Sequence, residues 1–388
     1  MFTCSNCSIE LKPEKVGKLI NIPTIYFCEK CGYKEHIFEN ILNSYKKIIW
    51  NNIQDYFYED INNISPLNNK DIERIYWELC TDYPNRGGKY FRSTLLSLTT
   101  QAMGESFEKC IKTAVAIEVS QNWLLIHDDF EDHSVERRGQ PALHLKYCPE
   151  LAINAGDSLH IIMWKILRDN ENILGHEKTF MIMDEFFKIL CRTTLGQTAD
   201  IIWARSNHFD LTEEDVFFIF DGKTSYYTIA GPMRLGAIIA ENDLNKLEKK
   251  IFPLINEFGY NLGRAFQITD DILDLTTEFR GLKKQKCNDI YEGKISLILV
   301  HLLHNANPID RVKILNILQK SREDKTQEEV NYILELMEKY ESIKYASKKA
   351  EIFALNSIKI FEKMDFFINK EFKDKLLSGI DFIVNRNF

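Results

Sequence analysis

Gln121-Asn-Trp-Leu-Leu-Ile-His-Asp-Asp-Phe-Glu-Asp-His-Ser-Val-Glu-Arg-Arg-Gly-Gln-Pro141 is the stretch whose reading decides the fold. Its first half reads as a helix, with Trp123, Leu124, Leu125 and Ile126 around most of the circumference. Set into that apolar segment are Asp128, Asp129 and Asp132, with Glu131 among them. At about 100° per residue, Asp128 and Asp132 share a face one turn apart and Asp129 lies beside them. Like charges so placed cost a bare helix a few tenths of a kcal/mol, and more where the face is desolvated. A cation is therefore expected there. Carboxylates in a row suit magnesium, which takes oxygen ligands from protein and from a phosphate substrate.

The arrangement occurs twice. Phe266-Gln-Ile-Thr-Asp-Asp-Ile-Leu-Asp-Leu275 again sets three carboxylates, Asp270, Asp271 and Asp274, into an apolar helix at the same spacing. One such cluster reads equally well as a solvated acidic face. Two of identical spacing, both flanked by Leu, Ile and Phe, point to facing helices that hold several divalent ions and grip a diphosphate.

This pair of Asp-Asp-x-x-Asp motifs resembles the trans-isoprenyl diphosphate synthases, the farnesyl, geranylgeranyl and longer-chain prenyltransferases. The resemblance runs from about Asn85 to about Lys294, with motifs in the family's order. It includes Gly87-Gly-Lys-Tyr-Phe-Arg92, Arg137-Arg-Gly139, Ala155-Gly-Asp157, Gly196-Gln197, Lys223-Thr224 and Gly263-Arg-Ala-Phe-Gln267. Each is weak alone; the ordered set is specific. It implies an all-α fold, an isoprenoid-synthase-type helical bundle around a central cavity, and usually a homodimer. It also implies about three magnesium ions per active site, held by the six aspartates.

The resemblance assigns the remaining site residues. Lys89, Arg92, Gln121 and Arg138 would bind isopentenyl diphosphate, while Arg137 and Lys294 would serve the allylic diphosphate. Lys223 and Thr224 would lie near that diphosphate, and Gln267 near the reacting double bond. On the residues alone, Lys89 and Arg92 read as i, i+3 neighbours on a helix that follows the glycine turn. The family usually has a basic residue where Tyr90 stands, proline where Ser93 stands, and often glycine where Cys287 stands. The lysine-rich loop from Gly281 to Asn288 is expected to overhang the metal site. In the family, bulk four and five residues before the first aspartate stops elongation; here those are Leu124 and Trp123. A helical wheel puts Leu124 on the Asp128 face and turns Trp123 away from it. The expected product is geranylgeranyl rather than farnesyl diphosphate. Two other classes stay open, a terpene cyclase or head-to-head condensing enzyme, and a noncatalytic partner subunit.

Four of the nine cysteines form Cys4-x-x-Cys7 and Cys28-x-x-Cys31, with twenty residues between the pairs. That spacing predicts a structural zinc site on a ribbon over residues 1–38, with residues 20–27 as strand and Gly32 as the knuckle residue. Such ribbons are no part of the prenyltransferase pattern, and a folding cap, a docking surface and a vestigial nucleic-acid reader all stay open. Residues 39–388 are expected to be the helical prenyltransferase domain, so a chain begun near Glu39 should retain activity. Ile41, Tyr45, Ile48, Ile49 and Ile53 mark its first apolar stripe, which residues 62–66 break. A second helix is expected over 71–80, and Met181, Met183, Phe186 and Phe187 as core or tunnel wall.

At 388 residues and 45% hydrophobic, the chain can bury a large core. Its net charge of −8 argues against nucleic acid as a bulk partner. No basic region followed by an apolar one opens the chain, and nothing reads as a membrane span. The scattered cysteines fit a reduced, cytoplasmic protein.

Overall fold

The computed structural model describes residues 6–14, 20, 22–59, 69–206, 209–276 and 287–384. The chain begins with three short antiparallel strands in the order β1 (Lys12–Glu14), β2 (Ile25–Phe27) and β3 (Lys34–His36). Ile25 pairs with both Glu14 and His36. Among the described residues the strand expected over residues 20–27 takes in only its last three, and a second strand stands before it. This sheet buries little: Leu11 and Cys28 are its core, with Cys7, Tyr26 and Tyr33 against them. A cluster that small does not stabilise a fold without a staple, which a metal would supply. Gly32 has φ +73, as the knuckle requires.

β3 runs straight into α1 (Ile37–Glu59), so the helix takes in Ile37 and Phe38 as well as residues from Glu39 onward. Phe38, Ile41, Leu42, Ile49, Ile53 and Phe57 are buried along one stripe, while Ile48 is exposed. The break in the stripe expected at residues 62–66 lies outside the described residues. The Phe38 ring meets Phe91 edge-on at 5.8 Å, and a Cβ on Gly379 would come within 2.8 Å of it. A chain begun at Ile37 keeps this packing. A cut at Glu39 deletes a fully buried phenylalanine and should lose on the order of 3–5 kcal/mol, read by urea unfolding. Equal stability of the two chains would show that Phe38 carries no such weight.

The chain divides into two compact units. The first holds residues up to 186 with 232–251 and 365–379; the second holds 187–231, 252–364 and the residues from 380 on. In the first unit, α2 (Lys70–Asn85) runs past the expected end at Cys80, with Pro84 in its last turn. There follow α3 (Phe91–Ala102), α4 (Ile111–Glu131), a hairpin of β4 (Glu136–Arg137) and β5 (Gln140–Pro141), α5 (Leu143–Lys146), α6 (Pro149–Arg168) and α7 (Glu171–Leu174). Helix α8 (His176–Arg205) begins in the first unit and ends in the second. On it Phe186 is buried but Phe187 is exposed, so the expected Met and Phe stripe is only partly core.

The second unit continues with α9 (Glu213–Ile219), opened by a capping box of Thr212 and Asp215. A π-helical stretch, Phe220–Ala230, leads into α10 (Gly231–Ala240), which from Pro232 on lies in the first unit together with α11 (Leu244–Lys246). The second unit resumes with α12 (Phe252–Thr276), α13 (Asn288–Glu292), α14 (Leu297–Asn305), α15 (Pro308–Leu318), α16 (Gln327–Lys339) and α17 (Ser342–Glu362), while α18 (Lys370–Val384) begins in the first unit and ends in the second. Six of the nine residues of α14 are buried, so it is the core helix on which the unit's other apolar faces close. Among the described residues no helix is long and apolar enough to cross a membrane.

Candidate active site

The three aspartates of the first motif are not equivalent. Asp128 lies on α4 and Asp132 caps its C-terminus; both are half-buried and one turn apart. Asp129, rotated by about 100°, is fully buried. It accepts a hydrogen bond of 2.6 Å from the Tyr83 hydroxyl, and Arg137 Nε lies 3.0 and 2.9 Å from its two oxygens. Arg137 Nη2 also donates to Asp129 Oδ1. A buried carboxylate so paired holds the guanidinium charged and fixed. Burial and the Asp129 carboxylate raise the Tyr83 hydroxyl pKa, so it stays a donor.

The hairpin explains how Arg137 and Arg138 take different directions. Arg137 pairs with Gln140, and Arg138 (φ 54) and Gly139 (φ 77) form the two-residue turn. Two positive φ values in a two-residue hairpin loop match the twist of the strands. Arg86 braces the hairpin backbone, donating from Nη1 to the Arg137 carbonyl at 3.0 Å while its Nη2 pairs with Asp82 at 2.6 Å. Arg138 Nη1 donates to the Tyr83 carbonyl at 2.8 Å and to Asn122 Oδ1 at 3.2 Å.

The glycine turn differs from its expected form. Tyr90 is buried with φ 54, and α3 begins only at Phe91. Arg92 is therefore helical and Lys89 is not; their i, i+3 helical spacing does not hold, although both flank the turn. Ser93 donates its backbone N–H (3.2 Å) and its hydroxyl (2.7 Å) to the buried Glu118 carboxylate. A proline there could make neither bond. On α4, Gln121 is half-buried and its Oε1 is enclosed without a protein hydrogen-bond partner among the described residues.

The second motif repeats the pattern of the first. On α12, Asp270 and Asp274 are half-buried and Asp271 is buried. Asp271 Oδ1 accepts from Gln267 Nε2 at 2.9 Å and from Lys294 Nζ at 3.1 Å. Burial, opposed by Lys294, pushes the Asp271 carboxyl up to about 6. Burial alone would lower the Lys294 pKa, but Asp271 and Asp289 (3.2 Å) more than offset it and hold the ammonium charged. Asp274 Oδ2 accepts the Asp289 N–H at 3.0 Å, which ties α13 to α12. Cys287 has φ 61, the backbone region that favours glycine, so the position keeps a glycine-type turn while bearing a buried thiol. Residues 277–286, most of the expected overhanging loop, lie outside the described residues.

Lys223 and Thr224 sit in the π-helical stretch, a widening common at functional sites. The stretch crosses α8 where a Cβ on Gly196 would come within 2.6 Å of the Lys223 nitrogen, so only glycine fits there. Lys223 Nζ donates to Asp200 Oδ2 at 3.1 Å, and Thr224 Oγ1 donates to Gln267 Oε1 at 2.9 Å. Thr224, Gln267, Asp271 and Lys294 thus form one continuous hydrogen-bonded chain.

The donor sets fit the metals expected of them. In each motif the first and third aspartates are accessible on one face, as magnesium requires. The Cys7, Cys28 and Cys31 sulfurs lie within 4.8 Å of one another, and Cys4 lies outside the described residues. The backbone N–H of Cys31 is the largest influence lowering the Cys28 thiol to about 6, which favours the thiolate a metal needs.

Trp123 and Leu124 part company. Leu124 is half-buried, whereas Trp123 is 9% exposed and turned onto α6. Its indole stacks on His160 with centroids 4.2 Å apart and planes 19° apart. His160 in turn accepts from Trp164 Nε1 at 2.9 Å. Gly156 makes the approach possible, since a Cβ there would lie 2.3 Å from His127 and 3.2 Å from Trp123.

Sequence reading missed Tyr83, Arg86, Asn122, Asp200 and Asp289. Asp200 carried a signal, a lone carboxylate one turn after Gly196 and just before Ile201, Ile202 and Trp203. Tyr83, Arg86 and Asn122 gain their roles from residues distant in the chain, and Asp289 gains its role from Lys294 five residues on.

A sequence profile of the polyprenyl synthetase family matches residues 73–337, which leaves the cysteine-bearing segment outside. The geranylgeranyl diphosphate synthase of Saccharolobus solfataricus is 32% identical over 319 residues, covering 78% of this chain and 90% of that protein. The geranylfarnesyl diphosphate synthase of Aeropyrum pernix is 28% identical over 303 residues, covering 77% of this chain and 91% of that protein. Among solved structures, the geranylgeranyl pyrophosphate synthetase of Pyrococcus horikoshii superimposes with a TM-score of 0.75 at 28% identity, covering 90% of this chain and 99% of that one.

Proposed function

Because the chain belongs to the polyprenyl synthetase family, and is a prenyltransferase, we propose that it joins isopentenyl diphosphate head to tail with an allylic diphosphate. The product is a short (E)-prenyl diphosphate, geranylgeranyl diphosphate. The observation that carries this reading is the repeated division of labour in the two motifs. In each, the first and third aspartates are accessible and the second is buried on a cation, Arg137 in one and Lys294 in the other. Asp128 and Asp132, and likewise Asp270 and Asp274, would hold magnesium, which neutralises diphosphate charge when bound. Asp129 and Asp271 then serve by fixing Arg137 and Lys294. This narrows the expectation that all six aspartates hold magnesium.

Arg137 and Lys294 bind and orient the allylic diphosphate as its C–O bond breaks. Lys223, held by Asp200, and Thr224 lie near the same diphosphate, and Gln267 stands near the reacting double bond. Lys89, Arg92, Gln121 and Arg138 hold isopentenyl diphosphate so that its double bond attacks the allylic carbon. Loss of a proton to the departing pyrophosphate completes a product one isoprene unit longer. Incubation with each allylic diphosphate should release pyrophosphate only when isopentenyl diphosphate is present. Release from the allylic substrate alone, with a hydrocarbon product, would instead show a cyclase.

In the same reading Cys4, Cys7, Cys28 and Cys31 hold one structural zinc, which metal analysis of the purified protein would detect. The protein works as a homodimer, supported by exposed Phe180, Phe187, Leu195 and Ile202 recurring at seven- to eight-residue intervals along α8.

A further inference from the structure

Two cations crowd the two consecutive glycines of the turn before α3. At Gly88 a Cβ atom would lie 2.9 Å from Arg138 Nη2, and at Gly87 it would lie 3.1 Å from Lys46 Nζ. Gly87 has a backbone reason to be glycine, with φ +75, but Gly88 does not, so at Gly88 the space itself is what matters. Arg138 belongs to a motif; Lys46 belongs to none. It comes from α1, on a helix otherwise read for its apolar stripe.

Lys46 is half-buried, and its ammonium lies 5.8 Å from the centroid of the Tyr90 ring. Among the described residues no carboxylate pairs with it. The neighbouring buried carboxylate, Glu118, accepts from the Ser93 N–H and hydroxyl through Oε1. An aromatic face supports an ammonium by only about 0.5–1 kcal/mol where solvent reaches it. Bringing a second cation to an adjacent glycine is unfavourable unless an anion enters between them. Backbone without side chains, walled by an ammonium and a guanidinium, suits an anion with several oxygens and close approach.

We propose that Lys46 is a substrate-binding residue of the isopentenyl diphosphate subsite, gripping the diphosphate across the Gly87–Gly88 turn from Arg138. This rests on the function proposed above. It also gives α1 a part in the site: the helix that continues the ribbon carries a substrate contact.

The test is steady-state kinetics on the full chain, varying isopentenyl diphosphate and the allylic diphosphate separately. Lys46→Met keeps the apolar stem over Tyr90 and removes only the charge. It should raise the KM for isopentenyl diphosphate roughly tenfold, the loss of one charge-assisted hydrogen bond, with kcat and the allylic KM within twofold. Lys46→Arg should restore most of the affinity. Calorimetric titration with isopentenyl diphosphate alone should show the same loss, and circular dichroism should confirm unchanged folding. An unchanged isopentenyl diphosphate KM, or equal rises in both KM values, would overturn the role of Lys46. Wild-type protein that condenses nothing would overturn the underlying function instead.

Discussion

Asp128→Ala and Asp270→Ala should each lower turnover by roughly 10²- to 10⁴-fold in excess magnesium, the several kcal/mol that a charge-neutralising ion contributes. Neither substitution should harm the fold. Both carboxylates are half-buried, with a like charge one turn away, so removing one relieves a few tenths of a kcal/mol of repulsion. Asp129→Ala should behave differently. It leaves the Arg137 guanidinium without its buried partner and the Tyr83 hydroxyl without its acceptor. Breaking such a pair costs about 3–5 kcal/mol, so urea unfolding should separate Asp129→Ala from Asp128→Ala even where both are inactive. If Asp128→Ala retains activity within tenfold of wild type, the accessible carboxylates do not hold a catalytic ion. If Asp129→Ala is as stable as wild type, the division of labour within the motif is wrong.

That division shows what a sequence can and cannot disclose. The i, i+1, i+4 spacing names the three aspartates and puts the second on another face, because helical periodicity is local. It does not say that Tyr83, from α2, closes over the second one. The same limit hid Asp200, whose cation Lys223 lies beyond α9. Lys89 and Arg92 were misplaced for another reason. A left-handed tyrosine between them ends the helical register, and tyrosine carries no mark of positive φ, which glycine or asparagine would. The hairpin was invisible likewise, since Arg138-Gly139 is not the Asn-Gly pair that announces such turns. Cys287 is the converse case: the family's usual glycine pointed to a backbone state that the chain keeps. The helical fold itself was legible throughout, because long amphipathic periods need no partner to be recognised.

Product length should move when Trp123 is removed. The relatives named for geranylgeranyl and geranylfarnesyl diphosphate differ by one isoprene unit at nearly equal identity to this chain, so overall similarity does not decide the matter. Local bulk does. The indole of Trp123 is clamped in the α4–α6 seam by its stack on His160, which Trp164 holds by a hydrogen bond. A plug fixed on two helices resists an advancing isoprenyl tail better than one free to change rotamer. Its Nε1 is enclosed without a hydrogen-bond partner among the described residues, so the stack is kept at a local cost of about 1–3 kcal/mol. Trp123→Ala should shift the product distribution to longer chains. His160→Ala, which leaves the indole present but unclamped, should do so in part. Leu124→Ala, on the Asp128 face and outside the stack, should do so less than Trp123→Ala. Truncating a buried tryptophan costs about 3–5 kcal/mol, so Trp123→Leu serves as the milder variant. Chromatography of extracted products reads the outcome. An unchanged distribution in all four variants and in the Trp123→Ala, Leu124→Ala double mutant would place the stop on another helix.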